Sequence, residues 1–180
     1  MELPSINIGE YLHISDPELK DKYDFAIKYS KQSEAKDILG FGDLTKKTFG
    51  EVKDLQQQFS EKDYFVKFIT QCEKLLSLDV FTFFAHYNYV INEVSRGNFI
   101  ESQLLGHEPN EDEINANIDK LNEMGVGIQI DTLALGQVWM YETIRGLNYE
   151  DCLYKLVLEK RRSDYQRNYQ NIMLNKSKNG

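Results

Sequence analysis

The sequence predicts a mainly α, single-domain helical bundle of about six to eight helices, with an extended N-terminal arm and a long C-terminal helix. Three observations lead there. Prolines occur only at Pro4, Pro17 and Pro109, so little of the chain is barred from helix. Beyond residue 16 the apolar residues recur three and four apart, the spacing of one helix face. No alternating run rich in Val and Thr follows residue 16, so strand has little to build on. With 180 residues, 41% of them hydrophobic, the chain can bury a core as one domain.

Residues 1–16 depart from the helical pattern. Ile6, Ile8, Leu12 and Ile14 stand two to four apart near Pro4 and Gly9, a spacing that suits an extended arm or an edge strand. Asp16 and Pro17 then offer an N-cap with proline in the first helical position, opening a helix to about Ser33. The stretch from Asp37 to Lys47, with Gly40 and Gly42, is a loop with room for a short turn.

Thr48 and Glu51 form a capping-box pattern ahead of a helix over Phe49 to Phe59. Ser60 opens another, whose Tyr64, Phe65, Phe68, Ile69, Cys72, Leu75 and Leu76 make a wide apolar face. Asp79 starts a long helix ending near Leu105, with Phe81, Phe84, Ala85, Ile91 and Val94 directed inward. After a loop around Pro109, Asn110 caps a helix that reaches a stop at Gly125. Short helices over Asp131 to Trp139 and Met140 to Arg145 follow. Asn148 caps the last helix, which runs to about Asn175. Phe65, Phe68, Ile69, Phe84, Ile91, Leu133, Leu153 and Leu156 are the expected core.

Charge divides the chain. Residues 155–180 hold seven basic residues against Glu159 and Asp164, so +5 sits at the end and, with −8 overall, −13 on the rest. The expected organisation is an arm over 1–16, a helical body over 17–154, and a basic helix and tail over 155–180. An acidic body with a basic end can meet copies of itself head to tail. The same acidity opposes a body lying on naked DNA.

No site for chemistry is legible. His13, His86 and His107 are scattered, without metal-ligand spacing, and His86 among Phe83, Phe84 and Tyr87 suits packing. Glu111, Asp112 and Glu113 belong at a helix N-terminus, where negative charge is favoured. Gly40 with Gly42, and Gly125 with Gly127, lack the rest of a phosphate loop and read as turns. Cys72 and Cys152 have no partner spacing and read as packed, reduced thiols. The expectation is no enzyme, no cofactor and no metal. No apolar stretch is long enough to span a membrane, and no secretory leader is expected, since Met1 to Ser5 offer no basic and apolar regions.

The stretch Ile130 to Gly136, then Trp139 to Ile144, then Leu147 to Tyr149, then Leu153 and a charged helix to Tyr165, resembles small helical proteins of tailed bacteriophages. The pattern is short helix, glycine, second short helix, Asn-Tyr, long final helix. It is similar to virion ring or connector proteins, including those of crAss-like phages, and to tail-assembly chaperones. The resemblance implies oligomerisation and assembly, with copies of itself and other virion proteins as partners, in the virion and in the host cytoplasm during assembly. It carries no catalytic residue over. The expected role is a structural subunit at the portal–tail region; a cytoplasmic assembly chaperone is the first alternative. A nucleic-acid-associated protein using the basic last helix is the second, and an enzyme with a diffuse carboxylate site the third. The candidate intersubunit contacts are Ile6, Ile8, Leu12, Ile14, Arg161, Arg162, Tyr165, Arg167 and Tyr169.

Overall fold

The computed structural model describes residues 3–30, 34–59 and 73–178. The chain is mainly α. Its helices are α1 (Ile8–Leu12), α2 (Pro17–Tyr29), α3 (Phe49–Phe59), α4 (Glu73–Leu76), α5 (Val80–Leu105), α6 (Glu111–Asn115), α7 (Ile118–Asn122), α8 (Val126–Ala134), α9 (Tyr141–Arg145) and α10 (Tyr149–Lys178). Leu44–Lys46 and Val138–Met140 form single 3-10 turns. Extended pairing among the described residues consists of two isolated bridges, Asn7 with Asp79 and Thr48 with Asn148. The expected helix from Ser60, with core candidates Phe65, Phe68 and Ile69, falls largely outside the described residues, as does Cys72. Two compact units are distinguishable: Met1–Asp43 with Leu55–Gly97, and Leu44–Asp54 with Asn98–Gly180.

In the first unit, residues 1–16 correct the expectation of an extended arm. Asn7 Oδ1 accepts from the Glu10 amide at 2.9 Å, and the Glu10 carboxylate accepts from the Asn7 amide at 2.9 Å. This capping box winds the chain into α1. The Ile8 amide donates to Leu78 O at 2.9 Å and the Val80 amide to Ile6 O at 3.0 Å. These bonds tie the segment to the start of α5. Ile8 is fully buried beside Tyr11, Tyr23, Leu75, Val80 and Phe83.

Tyr11 stacks edge-on against Tyr23 and Phe84 and donates its hydroxyl to Asp24 at 2.5 Å. Burial first, then that carboxylate, pushes the Tyr11 phenol well above its usual range. Helix α2 opens as expected, with Asp16 Oδ1 accepting from the Glu18 amide at 3.0 Å and Pro17 in the first turn.

Helix α5 matches the expected span, but its inward face is rotated by about one residue. Ala85 and Val94 are buried as expected, together with Val80, Phe83, His86, Val90 and Gly97, whereas Phe81, Phe84 and Ile91 are half-buried. The aromatic run offers apolar residues on both faces, and the packing of α1 and Tyr23 selects Phe83. Asp79 caps α5, its Oδ1 accepting from the Phe81 and Thr82 amides at 3.0 and 3.2 Å. Its Oδ2 accepts from the Ser5 hydroxyl at 2.9 Å. Replacing Asp79 with Ala should therefore lower stability by about 1–2 kcal/mol, as loss of an N-cap does. A urea midpoint unchanged in that variant would show that the cap contributes nothing.

His86 is buried as expected, and a carboxylate from the preceding loop faces it: Nδ1 lies 3.7 Å from Asp37 Oδ1. The same Asp37 organises the Gly40–Gly42 turn, accepting from the Phe41 and Gly42 amides at 2.7 Å each. Burial raises the Asp37 pKa, but those amides and His86 outweigh it and hold the carboxyl below its ordinary value.

In the second unit, α3 and α10 start side by side. The Phe49 amide donates to Leu147 O at 2.8 Å and the Tyr149 amide to Lys47 O at 3.0 Å. Thr48 with Glu51 and Asn148 with Glu150 cap the two helices. Gly50 permits the close approach of α9: a Cβ there would stand 3.1 Å from both Arg145 Cβ and Arg145 O. Arg145 in turn grips the Asp54 carboxylate with two hydrogen bonds, 2.9 and 2.8 Å. Helix α8 packs against α9 and α10. It begins five residues before the expected start, because Gly125 (φ 52°) turns the chain directly into it. Ile130, Ala134, Ile144, Tyr149, Cys152 and Leu156 are buried here. Leu156 meets its expectation, while Leu133 and Leu153 are half-buried. Cys152 is a free, buried thiol, raised in pKa chiefly by burial.

Candidate assembly surface

The second half of α10 leaves the packed part of its unit. Tyr149, Cys152 and Leu156, three and four apart, face inward. From Tyr165 to Ser177 every residue is exposed. All five expected contacts on this helix, Arg161, Arg162, Tyr165, Arg167 and Tyr169, are exposed. Tyr165 and Tyr169 stack one turn apart, with ring centroids at 6.2 Å. Arg162 bonds Glu159 at 2.9 Å, and Arg167 bonds Asp164 at 2.7 Å and Glu113 at 3.3 Å.

The four expected N-terminal contacts lie differently. Ile8 has no surface left to offer, and Ile6 and Ile14 pack half-buried against the same core; Leu12 alone is exposed. The segment serves its own unit because its apolar residues pair with Val80, Phe83 and Tyr23 of the same chain. Deleting residues 1–16 would thus remove core.

Sequence reasoning gave no weight to a second exposed feature, between α8 and α9. Leu135 sits at φ 53° and is 73% exposed, and Gly136 follows at φ 76°. Left-handed backbone at a leucine costs on the order of 1–3 kcal/mol. Val138 and Trp139 project beside it, 68% and 78% exposed. The Tyr141 hydroxyl donates to Asp131 at 2.5 Å and closes the loop. A strained backbone thus holds three large apolar side chains in solvent. No local pattern in the sequence tells an outward tryptophan from an inward one.

Beside α10 lies a groove of about 660 Å³, lined by His107, Glu113, Ile128, Leu156, Lys160 and Arg167 among others. Glu113 joins several of its groups. It closes the Asn110 capping box, meets His107 Nε2 at 2.8 Å and receives Arg167. The Asn110 amide first, then His107, keep the Glu113 carboxyl below its ordinary pKa. Lys160 donates to Gly106 O at 2.7 Å, a cation at the C-terminal end of α5. The charged groups of the groove are thus engaged with one another and with a helix end. Among the described residues no group of three or more His, Cys, Asp or Glu is placed to hold a metal ion, and no helix is long and apolar enough to cross a membrane.

No family model, curated protein or solved structure matches the chain.

Proposed function

We propose that this chain is a non-enzymatic structural subunit of a tailed-phage particle, acting as a ring or connector protein at the portal–tail region and associating with copies of itself and other virion proteins. The observation that carries the reading is the uncovered second half of α10, with Tyr165, Tyr169, Ile172, Met173 and Leu174 all exposed on one unbroken helix. A helical end with that much exposed apolar surface is poorly stable alone. The Leu135–Trp139 projection adds a second such surface on the same unit. The resemblance in residues 130–165 to ring and tail-assembly proteins of tailed phages supports the phage assignment and a role in assembly.

A protein partner is favoured over nucleic acid because Arg162 and Arg167 are already held by carboxylates. Phosphate binding would have to displace those pairs, and the body around them is acidic.

Two measurements test the proposal. Native mass spectrometry of the full chain at micromolar concentration should show oligomers. Peptide mass analysis of purified particles of the encoding phage should find the chain retained. A chain made during infection but missing from particles would point to an assembly chaperone and overturn the structural role.

A further inference from the structure

The last helix has a counterpart on its own unit. Helices α6 and α7 bury no residue. Ile114, Leu121 and, just beyond, Met124 are exposed, at 54%, 53% and 65%. Around them stand Glu108, Glu111, Asp112, Glu113, Asp119 and Glu123, against a single cation, Lys120. Residues 165–178 are the complement: Arg167, Lys176 and Lys178 with no Asp or Glu, interleaved with Tyr165, Tyr169, Ile172, Met173 and Leu174. Each surface exposes several large apolar side chains, and their charges are opposite. Such pairing steers encounter and fixes register, while the apolar contact supplies affinity.

Within one chain Arg167 and Glu113 link the two surfaces at 3.3 Å. Among the described residues no hydrogen bond or ion pair joins anything beyond Arg167 to residues 108–124. Helix α10 is continuous from Tyr149 to Lys178. It has no Pro or Gly at which to turn back. The end of the helix therefore cannot lie down on its own α6 and α7.

We propose that residues 165–178 of one copy dock on the α6–α7 face of a second copy, Tyr169, Ile172 and Met173, which share one side of the helix, covering Ile114, Leu121 and Met124, with Lys176 among the carboxylates. This rests on the self-assembly reading above and names its contact. Reciprocal exchange of the two helix ends closes a two-fold dimer; onward docking, copy to copy, builds a ring or a filament.

The test is charge reversal with rescue in the full chain. Lys176→Glu with Lys178→Glu, and separately Asp112→Lys with Glu123→Lys, should each weaken self-association by roughly tenfold, read by analytical ultracentrifugation. The four substitutions combined should recover most of the loss. Circular dichroism should show the same helix content throughout, since Lys176, Asp112 and Glu123 are exposed. If the parent associates and neither pair changes it, the docking is wrong while self-assembly stands. A parent that stays monomeric at all concentrations overturns the docking and the self-assembly reading together. If the lysine reversals leave association intact but abolish salt-dependent binding of a duplex oligonucleotide, the helix end is a nucleic-acid element and the docking is overturned.

Discussion

Phe83→Ala should cost about 3–5 kcal/mol, the usual range for an aromatic removed from a closed core. Phe83 has no exposed surface. It lies edge-on to Phe84 at 5.2 Å and parallel to Tyr87 at 6.0 Å, and it shares its cluster with Ile8, Tyr11, Tyr23, Leu75 and Val80. Those neighbours come from α1, α2, α4 and α5, so the hole would be walled by separately anchored elements that cannot easily collapse together. Phe84→Ala should cost less, because Phe84 is half-buried and keeps water on one side. The ordering is the sharp part. Urea denaturation followed by far-ultraviolet circular dichroism reports it; equal costs, or a larger loss at Phe84, would mean that α5 presents its other face.

That ordering also marks where the sequence stopped being legible. Local chemistry was readable wherever a cap and its helix are neighbours in the chain. Thr48 with Glu51, Asp79 before Val80, Asn110 with Glu113 and Asn148 before Tyr149 start helices α3, α5, α6 and α10 in the expected places. Asn7 with Glu10 carries the same Asn-x-x-Glu pattern as Asn110 with Glu113, and it was the overlooked cue that residues 1–16 contain a helix. The face of α5 was not readable. Phe81, Phe83, Phe84, Tyr87 and Tyr89 satisfy helical spacing on more than one side, and the choice lies with Ile8 and Tyr23, some sixty to seventy-five positions away. The left-handed residue Asn117 was likewise silent, and it splits the expected single helix into α6 and α7.

The candidate surface divides along the same line. The basic aromatic end of α10 could be found from composition, because too many cations crowd it for a core. The acidic, uncovered α6 and α7 could not. Ile114, Ile118 and Leu121 share one stripe by their spacing, yet Ile114 and Leu121 are exposed. Periodicity says which residues share a face; it does not say whether that face is covered by the same chain or by another.

Glu101→Ala should destabilise the second unit by about 3–5 kcal/mol, the loss expected when a buried charge is deprived of its counter-ion. Lys53 of α3 is 3% exposed and pairs directly with Glu101 of α5; the same carboxylate accepts the Tyr149 hydroxyl at 2.7 Å. No helical spacing announces a buried lysine, and its partner is 48 residues away. Burial lowers the Lys53 pKa, and Glu101 pulls partly against it. In Glu101→Gln that pull is lost, so the folded-state value falls further below 10.5 while the unfolded value stays near 10.5. Between the two values the unfolded chain binds more protons, so stability must rise with pH across that interval. The rise should be steeper in the variant than in the parent, and urea midpoints at about pH 7 and about pH 9.5 measure it. Replacing both partners together, Lys53→Met with Glu101→Leu, should cost far less than Glu101→Ala, since it removes the buried charge along with its counter-ion. A double variant as damaged as Glu101→Ala, or a Glu101→Gln midpoint that ignores pH, would show that the pair is wetter and weaker than its burial implies.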